Sequence, residues 1–413
     1  MAIPQKGFNL QMFKTLKNRQ FCWMWGANLF SNFGTSTYVL AINWIAVKEH
    51  GGIGLGSITL AYGGTQFLLQ LLGGVVSDRF NRKTIFAITE SLAFIVAIIL
   101  AFAGERHFYP IWFLSLMNGL NGGISAFDTP ARTTLINDLV ASEEVAKAQE
   151  LYGLAASITS VLGPALGGFL LSLGHTGIAF GFNAVSFIPV LISLLFIHPQ
   201  PKELQPKTVP VLSSISEGIG YARRNETVKV LLLLMTIVMV LGMPYQTLLP
   251  MFAHTVLHAG STEFAALSSA VGLGGFMGAL LITNFSNTPR PGQWLLYGSI
   301  AFGFCIFLFV QSPIIHWASL SVFLAGTCNA IVLNLDSGLL QSLTPVAFRG
   351  RVASLSGLNK GGLAISAAIA GYSAHFVGMI AVQMVLIILL WSALIWISPQ
   401  LMKLRLEVET SKA

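Results

Sequence analysis

Gly74-Val75-Val76-Ser77-Asp78-Arg79-Phe80-Asn81-Arg82-Lys83 joins two apolar segments, each long enough to cross a bilayer. One acid and three bases are packed into it, so the turn belongs in water while its flanks do not. A short, charge-dense hairpin between two spanning helices points to a device at the membrane surface. The composition agrees with a lipid solvent. Hydrophobic residues make up 54% of the chain and charged ones 9%, against roughly 25% charged in ordinary soluble domains. Mean hydropathy is +0.72. Lipid offers backbone groups no partners, which leaves helices or closed barrels. The apolar runs reach about 20 residues without period-two alternation, which selects helices.

Twelve spans are predicted, at 21–46, 57–77, 84–103, 109–131, 145–173, 176–197, 228–253, 262–285, 293–311, 314–341, 349–374 and 376–398. Connections as short as Gly174-His175-Thr176 make successive helices antiparallel neighbours. The one long connection runs from His198 to Lys229. It opens with prolines and then turns amphipathic, with Val211, Ile215, Ile219 and Ala222 on one face, which predicts a linker ending in a helix on the membrane surface. The organisation is a six-helix bundle at 1–197, a linker at 198–227 and a second six-helix bundle at 228–413.

Charge sets the orientation. With the N-terminus in the cytoplasm, 20 of the 23 lysines and arginines fall on cytoplasmic segments. Only Lys48 and Arg106 lie on the outer side, and Lys360 lies within a span. That asymmetry places both termini in the cytoplasm. It also accounts for the net charge of +7 and the pI of 9.4 without nucleic acid. No cleavable leader is read: the first 19 residues are polar and basic. Cys22, Cys305 and Cys328 lie inside apolar runs without metal-ligand spacing. No Walker loop, nucleophile–base arrangement or metal cluster is present, so neither an enzyme nor a cofactor is expected.

The halves repeat. At an offset of 208, Asn121 and Asp128 fall on Asn329 and Asp336, and Gly153 and Gly163 fall on Gly361 and Gly371. The expected fold is therefore an all-α polytopic membrane protein, with twelve transmembrane helices in two pseudo-symmetric bundles. This is the plan of a rocking transporter.

Ionisable groups inside a bilayer are costly and each needs a reading. Asp128 shares a face with Asn118, Asn121 and Ser125; it is either an ion-pair partner of the hairpin or of Arg132, or a binding residue. Glu90 either reaches back to Arg82 or Lys83 or carries a proton. Glu150 has a partner in Lys147 three residues away. Lys360, deep in span eleven, either pairs, with Asp336 one choice, or handles protons or an anionic cargo. Asn28, Ser31, Asn32 and Thr35 form a polar face on span one, suited to helix–helix hydrogen bonds or to cavity lining. Met235, Met239 and Met243 form a stripe in span seven that packs or meets bulky cargo. Seven of the eight histidines sit at the outer face, as interfacial residues or as a metal or pH sensor. Gly163-Pro164-Ala165-Leu166-Gly167-Gly168 marks a hinge or a close-packing site in span five.

At these residues the chain resembles the major facilitator superfamily. Gly74-x-x-x-Asp78-Arg79-x-Asn81-Arg82-Lys83 is similar to its signature between spans two and three, with Asn81 in place of a glycine. Gly163-Pro164-x-x-Gly167-Gly168 resembles its antiporter signature. The arginine that drug–proton exporters place early in span four is absent from Trp112-Phe113-Leu114-Ser115. Phe127-Asp128-Thr129-Pro130-Ala131-Arg132, Phe348-Arg349-Gly350-Arg351-Val352-Ala353-Ser354-Leu355 and Ser216 to Arg224 resemble the bacterial enterobactin- and macrolide-exporter subfamily. The resemblance implies gating by Gly74, Asp78, Arg79, Arg82, Lys83, Asp128 and Arg132, with Asp78 capping span eleven and Arg82 paired with Asp128. It implies a proton-coupled exporter of the bacterial inner membrane, monomeric, moving a small amphipathic cargo. A siderophore is favoured; a lysophospholipid or a macrolide-type drug is the alternative. The expected cavity lies among spans one, four, seven and ten and is lined by Asn28, Asn32, Asn121, Met239, Met243, Asn329 and Asp336.

The hairpin reading predicts that Asp78→Asn slows turnover more than it weakens cargo binding. Normal turnover with lost binding, measured on the same proteoliposomes, would contradict it.

Overall fold

The computed structural model describes residues 10–199, 211–282 and 289–404. All twelve spans are helical over their described residues. α1 (Arg19–Arg79) holds the first two in one continuous run, broken only at Gly51, whose φ of 60° and ψ of −145° reverse the chain. A side chain is strained at that backbone geometry, so glycine suits the position. The loop expected between spans one and two is thus a single residue. α2 (Arg82–Glu105), α3 (Ile111–Leu139), α4 (Val145–Ser172) and α5 (Thr176–Phe196) complete the first six spans. α6 (Val211–Arg224) is the amphipathic helix of the linker. Span seven is α7 (Glu226–Ile237), a π turn at Val238–Gly242 and α8 (Pro244–Thr255). α9 (Ser261–Leu281), α10 (Pro291–Val310), α11 (Ile315–Leu343), α12 (Val346–Val377) and α13 (Met379–Lys403) follow.

Eight of the described spans are apolar enough to cross a bilayer on hydropathy alone. The described part of α12 includes an apolar stretch at Gly361–Val377, and the spans in α1 and α3 are more polar. Such helices join the spanning set because their polar faces turn toward other helices.

Two compact units result. One gathers Asn9–Thr208 with Leu249–Ser269, where spans seven and eight are joined; the other gathers Val209–Leu248 with Ala270–Ala413. Each bundle is headed in the same way. A 3-10 helix at Leu10–Lys17 packs on α4 and α1, and Asn18 caps α1 by accepting from the backbone N–H of Gln20 at 3.1 Å and Phe21 at 3.3 Å. In the second bundle α6 packs on α12, and Asn225 caps α7 by accepting from the N–H of Val228 at 3.1 Å. An asparagine oxygen at this position satisfies helix N–H groups left without carbonyls. α6 therefore does not lie free on the membrane. Gly218 and Ala222 are buried, Ile219 is exposed, and Tyr221 stacks on Phe348 at 4.4 Å. Glu217 accepts from Arg351 at 2.7 Å.

The repeat is real, but its register differs from the one read in the sequence. α3 and α11 begin and end 204 residues apart, and most buried positions of one recur in the other at that spacing. Gly122 packs on the Tyr62 carbonyl, and Gly326 on the Val271 carbonyl. These close approaches fix the register, because only a glycine lets two backbones come so near. Leu120-Asn121-Gly122 thus matches Leu324-Ala325-Gly326. The Asn and Asp coincidence at 208 is displaced by one helical turn, so Asp336 corresponds to Arg132 and not to Asp128.

The prolines explain the local irregularities. Pro244 has no N–H, and its ring would clash with the carbonyl four residues back. The helix opens into the π turn, with Met243 N–H bonding Val238 O at 3.2 Å. The freed Val240 carbonyl accepts the Ser366 hydroxyl. That turn interrupts the methionine stripe between Met239 and Met243. In the same way Pro130 frees the Ala126 carbonyl, against which Gly73 packs.

Around Gly74 there is open space, so the tight glycine of the hairpin approach is Gly73. We expect Gly73→Leu to lower the unfolding free energy by about 1–3 kcal/mol through overpacking. Gly74→Ala should stay within about 0.5 kcal/mol of wild type. Equal losses in the thermal unfolding of detergent-purified protein would refute the distinction.

Candidate gating and cargo sites

The hairpin residues brace the first bundle from within. Asn81 caps α2, accepting from the N–H of Lys83 at 3.0 Å and of Thr84 at 3.3 Å. This is what the asparagine supplies where the family has a glycine. The cap points the next two side chains inward. Arg82 donates to Asp138 Oδ2 at 2.6 Å, tying the start of α2 to the end of α3. Lys83 Nζ donates to the Ile197 carbonyl at 2.7 Å, just past the end of α5. A helix C-terminus carries unsatisfied carbonyls and partial negative charge, so a lysine there is favourable. Arg79 is exposed. The side chains of Asp78 and Lys360 lie outside the described residues.

Asp128 has a different partner from the one the resemblance implied. Arg82 is held by Asp138, ten residues further along α3, and Asp128 pairs with Arg132 on its own helix. The i, i+4 spacing puts the two side chains on one face without further folding cost. Arg132 Nε donates to Asp128 Oδ2 at 3.0 Å, and its Nη1 donates to Asn28 Oδ1 on α1 at 3.0 Å. Thr89 on α2 donates to Asp128 Oδ1 at 3.0 Å. The guanidinium also lies 5.7 Å from the ring centre of Phe86. Glu90, buried, borders Asp128 and Arg132; its Oε2 has no hydrogen-bond partner among the described residues. Tyr152 on α4 closes the group. Two carboxylates thus share one guanidinium at the junction of α1, α2, α3 and α4. Glu90 does not reach back to Arg82 or Lys83, since both are engaged elsewhere.

Asn28, expected in the cargo cavity, belongs to this ion cluster. Asn32 and Asn121 are half-buried, and Asn121 lies beside the Tyr38 hydroxyl, which is bonded to Asn118. Asn118 Nδ2 in turn donates to the Ile58 carbonyl at 2.9 Å, joining both arms of α1 to α3. Met239 and Met243 are half-buried. On α11, Asn329 and Asp336 are buried; Asn329 Oδ1 and both carboxylate oxygens of Asp336 have no partner among the described residues.

Gly163, Gly167 and Gly168 are contact points. A side chain at 163 would meet Ser36, one at 167 would meet Thr37 and Leu40, and one at 168 would meet Ala265. α4 therefore presses closely on the first arm of α1 and on the start of α9. Sequence reasoning missed the neighbouring aromatic contact: Trp44 stacks on Phe264 at 6.0 Å and meets His254 edge-on at 5.7 Å. The nearest signal was an interfacial tryptophan at the outer end of span one. Among the outer histidines, His107 and His175 come together at 6.4 Å, and His50 Nε2 bonds the Tyr109 carbonyl at 2.6 Å. No cluster of three metal-ligating side chains occurs among the described residues.

Two apolar grooves line the helices. One, of about 770 Å³, runs along α12 and α13 past Val240, Gly362, Ser366 and Leu389. The other, of about 670 Å³, lies over α1, α2 and α3 at Leu69, Ile88, Leu116 and Phe127.

Comparison with known proteins agrees with this architecture. Enterobactin exporter EntS of Shigella boydii serotype 18 is 28% identical over 319 residues, 76% of this chain and 75% of that protein. EntS of Escherichia coli O81 gives the same values. The crystal structure of the nucleoside transporter NupG superposes with a TM-score of 0.74 at 12% identity, covering 94% of this chain and all, 100%, of that one. A bacterial homolog to human lysosomal transporter Spinster, inward-facing and unoccupied, gives 0.73 at 16% identity, covering 96% of this chain and 99% of that one. The family model described as transmembrane secretion effector matches residues 11–413. The chain belongs to the transmembrane secretion effector family of major facilitator transporters, a multi-pass membrane carrier and not an enzyme.

Proposed function

We propose that this transporter is a proton-coupled exporter of the bacterial inner membrane, with both termini in the cytoplasm, that moves a small amphipathic molecule outward by alternating access. The observation that carries the export reading is the 28% identity to enterobactin exporters over 319 residues. A siderophore is the favoured cargo, and enterobactin is the compound to test first. In the first bundle the half-buried Asn32 and Asn121 offer cargo polar groups; in the second, half-buried Met239 and Met243 offer deformable apolar surface.

The geometry supports a division of labour in the hairpin. Arg82 and Lys83 fasten α2 to α3 and α5, and the Arg132 cluster fastens α1, α2 and α3. These contacts make the first bundle move as one body. Asp78 and Arg79 then do the gating, breaking and remaking contact as the carrier cycles. The glycine face of α4, with Trp44 and Phe264, is the matching closure at the outer ends.

A second reading has one specific observation in its favour. The groove along α12 and α13 is apolar and of a size for an acyl chain, which suits a lipid carrier. Uptake of labelled lysophospholipid into proteoliposomes, with enterobactin unmoved, would select it over siderophore export. A macrolide-type drug cargo would show as macrolide efflux from the same vesicles.

Deleting the gene should raise intracellular enterobactin and lower the secreted pool, and unchanged pools for every siderophore tested would sink the export reading. The cluster makes a sharper demand on stability. Arg132→Gln leaves Asp128 and Glu90 buried without a cation, which should cost about 3–5 kcal/mol. Adding Asp128→Asn should recover most of that loss. A single variant as stable as wild type in chemical unfolding would show that the guanidinium does not hold the bundle.

A further inference from the structure

The two bundles treat buried charge differently. In the first, each buried carboxylate has Arg132 within reach. In the second, Asp336 is the one buried carboxylate among the described residues, 1% exposed, and neither oxygen accepts a hydrogen bond from them. The register of the repeat explains the contrast. Asp336 stands where the first bundle has Arg132, and the place of Asp128 is taken by Val332, itself buried. The repeat has kept a charge at one position and reversed its sign, and no described residue pairs with it.

The surroundings confirm that nothing described replaces it. α11 packs on α10 and α7, and α9 approaches at Gly326. The titratable groups on these helices are Tyr297 and Cys305 on α10 and Glu226 and Lys229 in the first turn of α7. Tyr297 is exposed, Cys305 faces Cys328, and Glu226 and Lys229 are exposed. From Ala270 onward the described part of α9 carries no titratable group. None of these is hydrogen-bonded to Asp336. An uncompensated carboxylate in this setting is stable only when its charge is removed by something that binds to it. The binder has to be small. Neither apolar groove includes Asp336 in its lining, and the residue has almost no accessible surface. A proton needs no volume; an organic cation does.

We propose that Asp336 is the proton-binding carboxylate of this transporter. A proton from water forms an O–H bond at one Oδ, leaving the side chain neutral, and it returns to water when movement of the second bundle wets the site. Asn329, two turns away on the same face with its own Oδ1 unpartnered, is the polar group through which water enters. This assignment rests on the proton-coupled reading above and names its residue. Glu90 is the other buried carboxylate; it borders Asp128 and Arg132 in the first bundle, and its own substitution separates it from Asp336 in the test below.

The test is infrared difference spectroscopy of the full-length protein in lipid, followed as pH is raised, with proteoliposome efflux of enterobactin measured in parallel. We expect wild type to show the carbonyl stretch of a protonated carboxylic acid that disappears at high pH. Asp336→Asn should lose that band, Asp336→Glu should keep it at a shifted position, and Glu90→Gln should leave it in place. Asp336→Asn should also lose the stimulation of efflux by an imposed pH gradient. A band that persists in Asp336→Asn overturns the assignment. So does a wild type without the band in which Lys360→Met creates one, because Asp336 would then be an ionised partner of Lys360. If wild-type efflux ignores the pH gradient while the band behaves as expected, proton coupling fails and the binding site stands.

Discussion

Lipid cannot hydrogen-bond, and the rest of this structure depends on that constraint. A polar group placed in a span has to meet another protein group or bear a large desolvation cost. The polar residues within the spans are therefore the ones that organise the first bundle. Asn118 joins both arms of α1 to α3, and Arg132 joins α1 and α2 to α3. The apolar spans surround these seams and face the acyl chains. Proline works under the same rule. Pro244 releases the Val240 carbonyl, which accepts the Ser366 hydroxyl, and Pro130 releases the Ala126 carbonyl, against which Gly73 packs.

Close backbone approach is the second consequence. Where hydrophobic association has little force between helices, packing and short polar contacts hold them together. Gly122 on Tyr62 O, Gly326 on Val271 O and Gly167 against α1 all serve that end. These contacts also set the register of the internal repeat, which is why the glycines are better markers of it than the polar residues. A polar residue can shift by one turn and keep its face; a glycine at a crossing point cannot.

Much of this was legible in the sequence. Hydropathy marks twelve spans in two bundles, in keeping with the major facilitator fold of the solved neighbours. What was not legible follows from the length of the side chains. Arg82 can reach several carboxylates on α3, and sequence cannot choose Asp138 over Asp128. The choice is made by Arg132, which at i+4 occupies Asp128 first. Asn28 looked like cavity lining because a helical wheel shows a face but not what crosses it; here the Arg132 guanidinium does. Trp44 was unreadable for another reason. Its partners His254 and Phe264 are more than 200 residues away in the chain, at the far ends of spans seven and eight.

The inequality between the bundles bears on how such a carrier can do work. Two bundles with internally neutralised charges would have equally comfortable resting states, and no ion would tell one conformation from another. A ligand shifts a conformational equilibrium only by its differential affinity for the two states. A carboxylate that is dry in one arrangement and wet in the other supplies that difference, since its affinity for a proton depends on which medium surrounds it. The first bundle, with Asp128, Glu90 and Arg132 close together, is built to stay the same through the cycle. The second has at the matching position an acid with no hydrogen-bond partner among the described residues, and the proposed proton site rests on that asymmetry. Pseudo-symmetry makes two similar bodies, and on the proton-coupled reading proposed above one reversed charge between them is where a proton gradient would act.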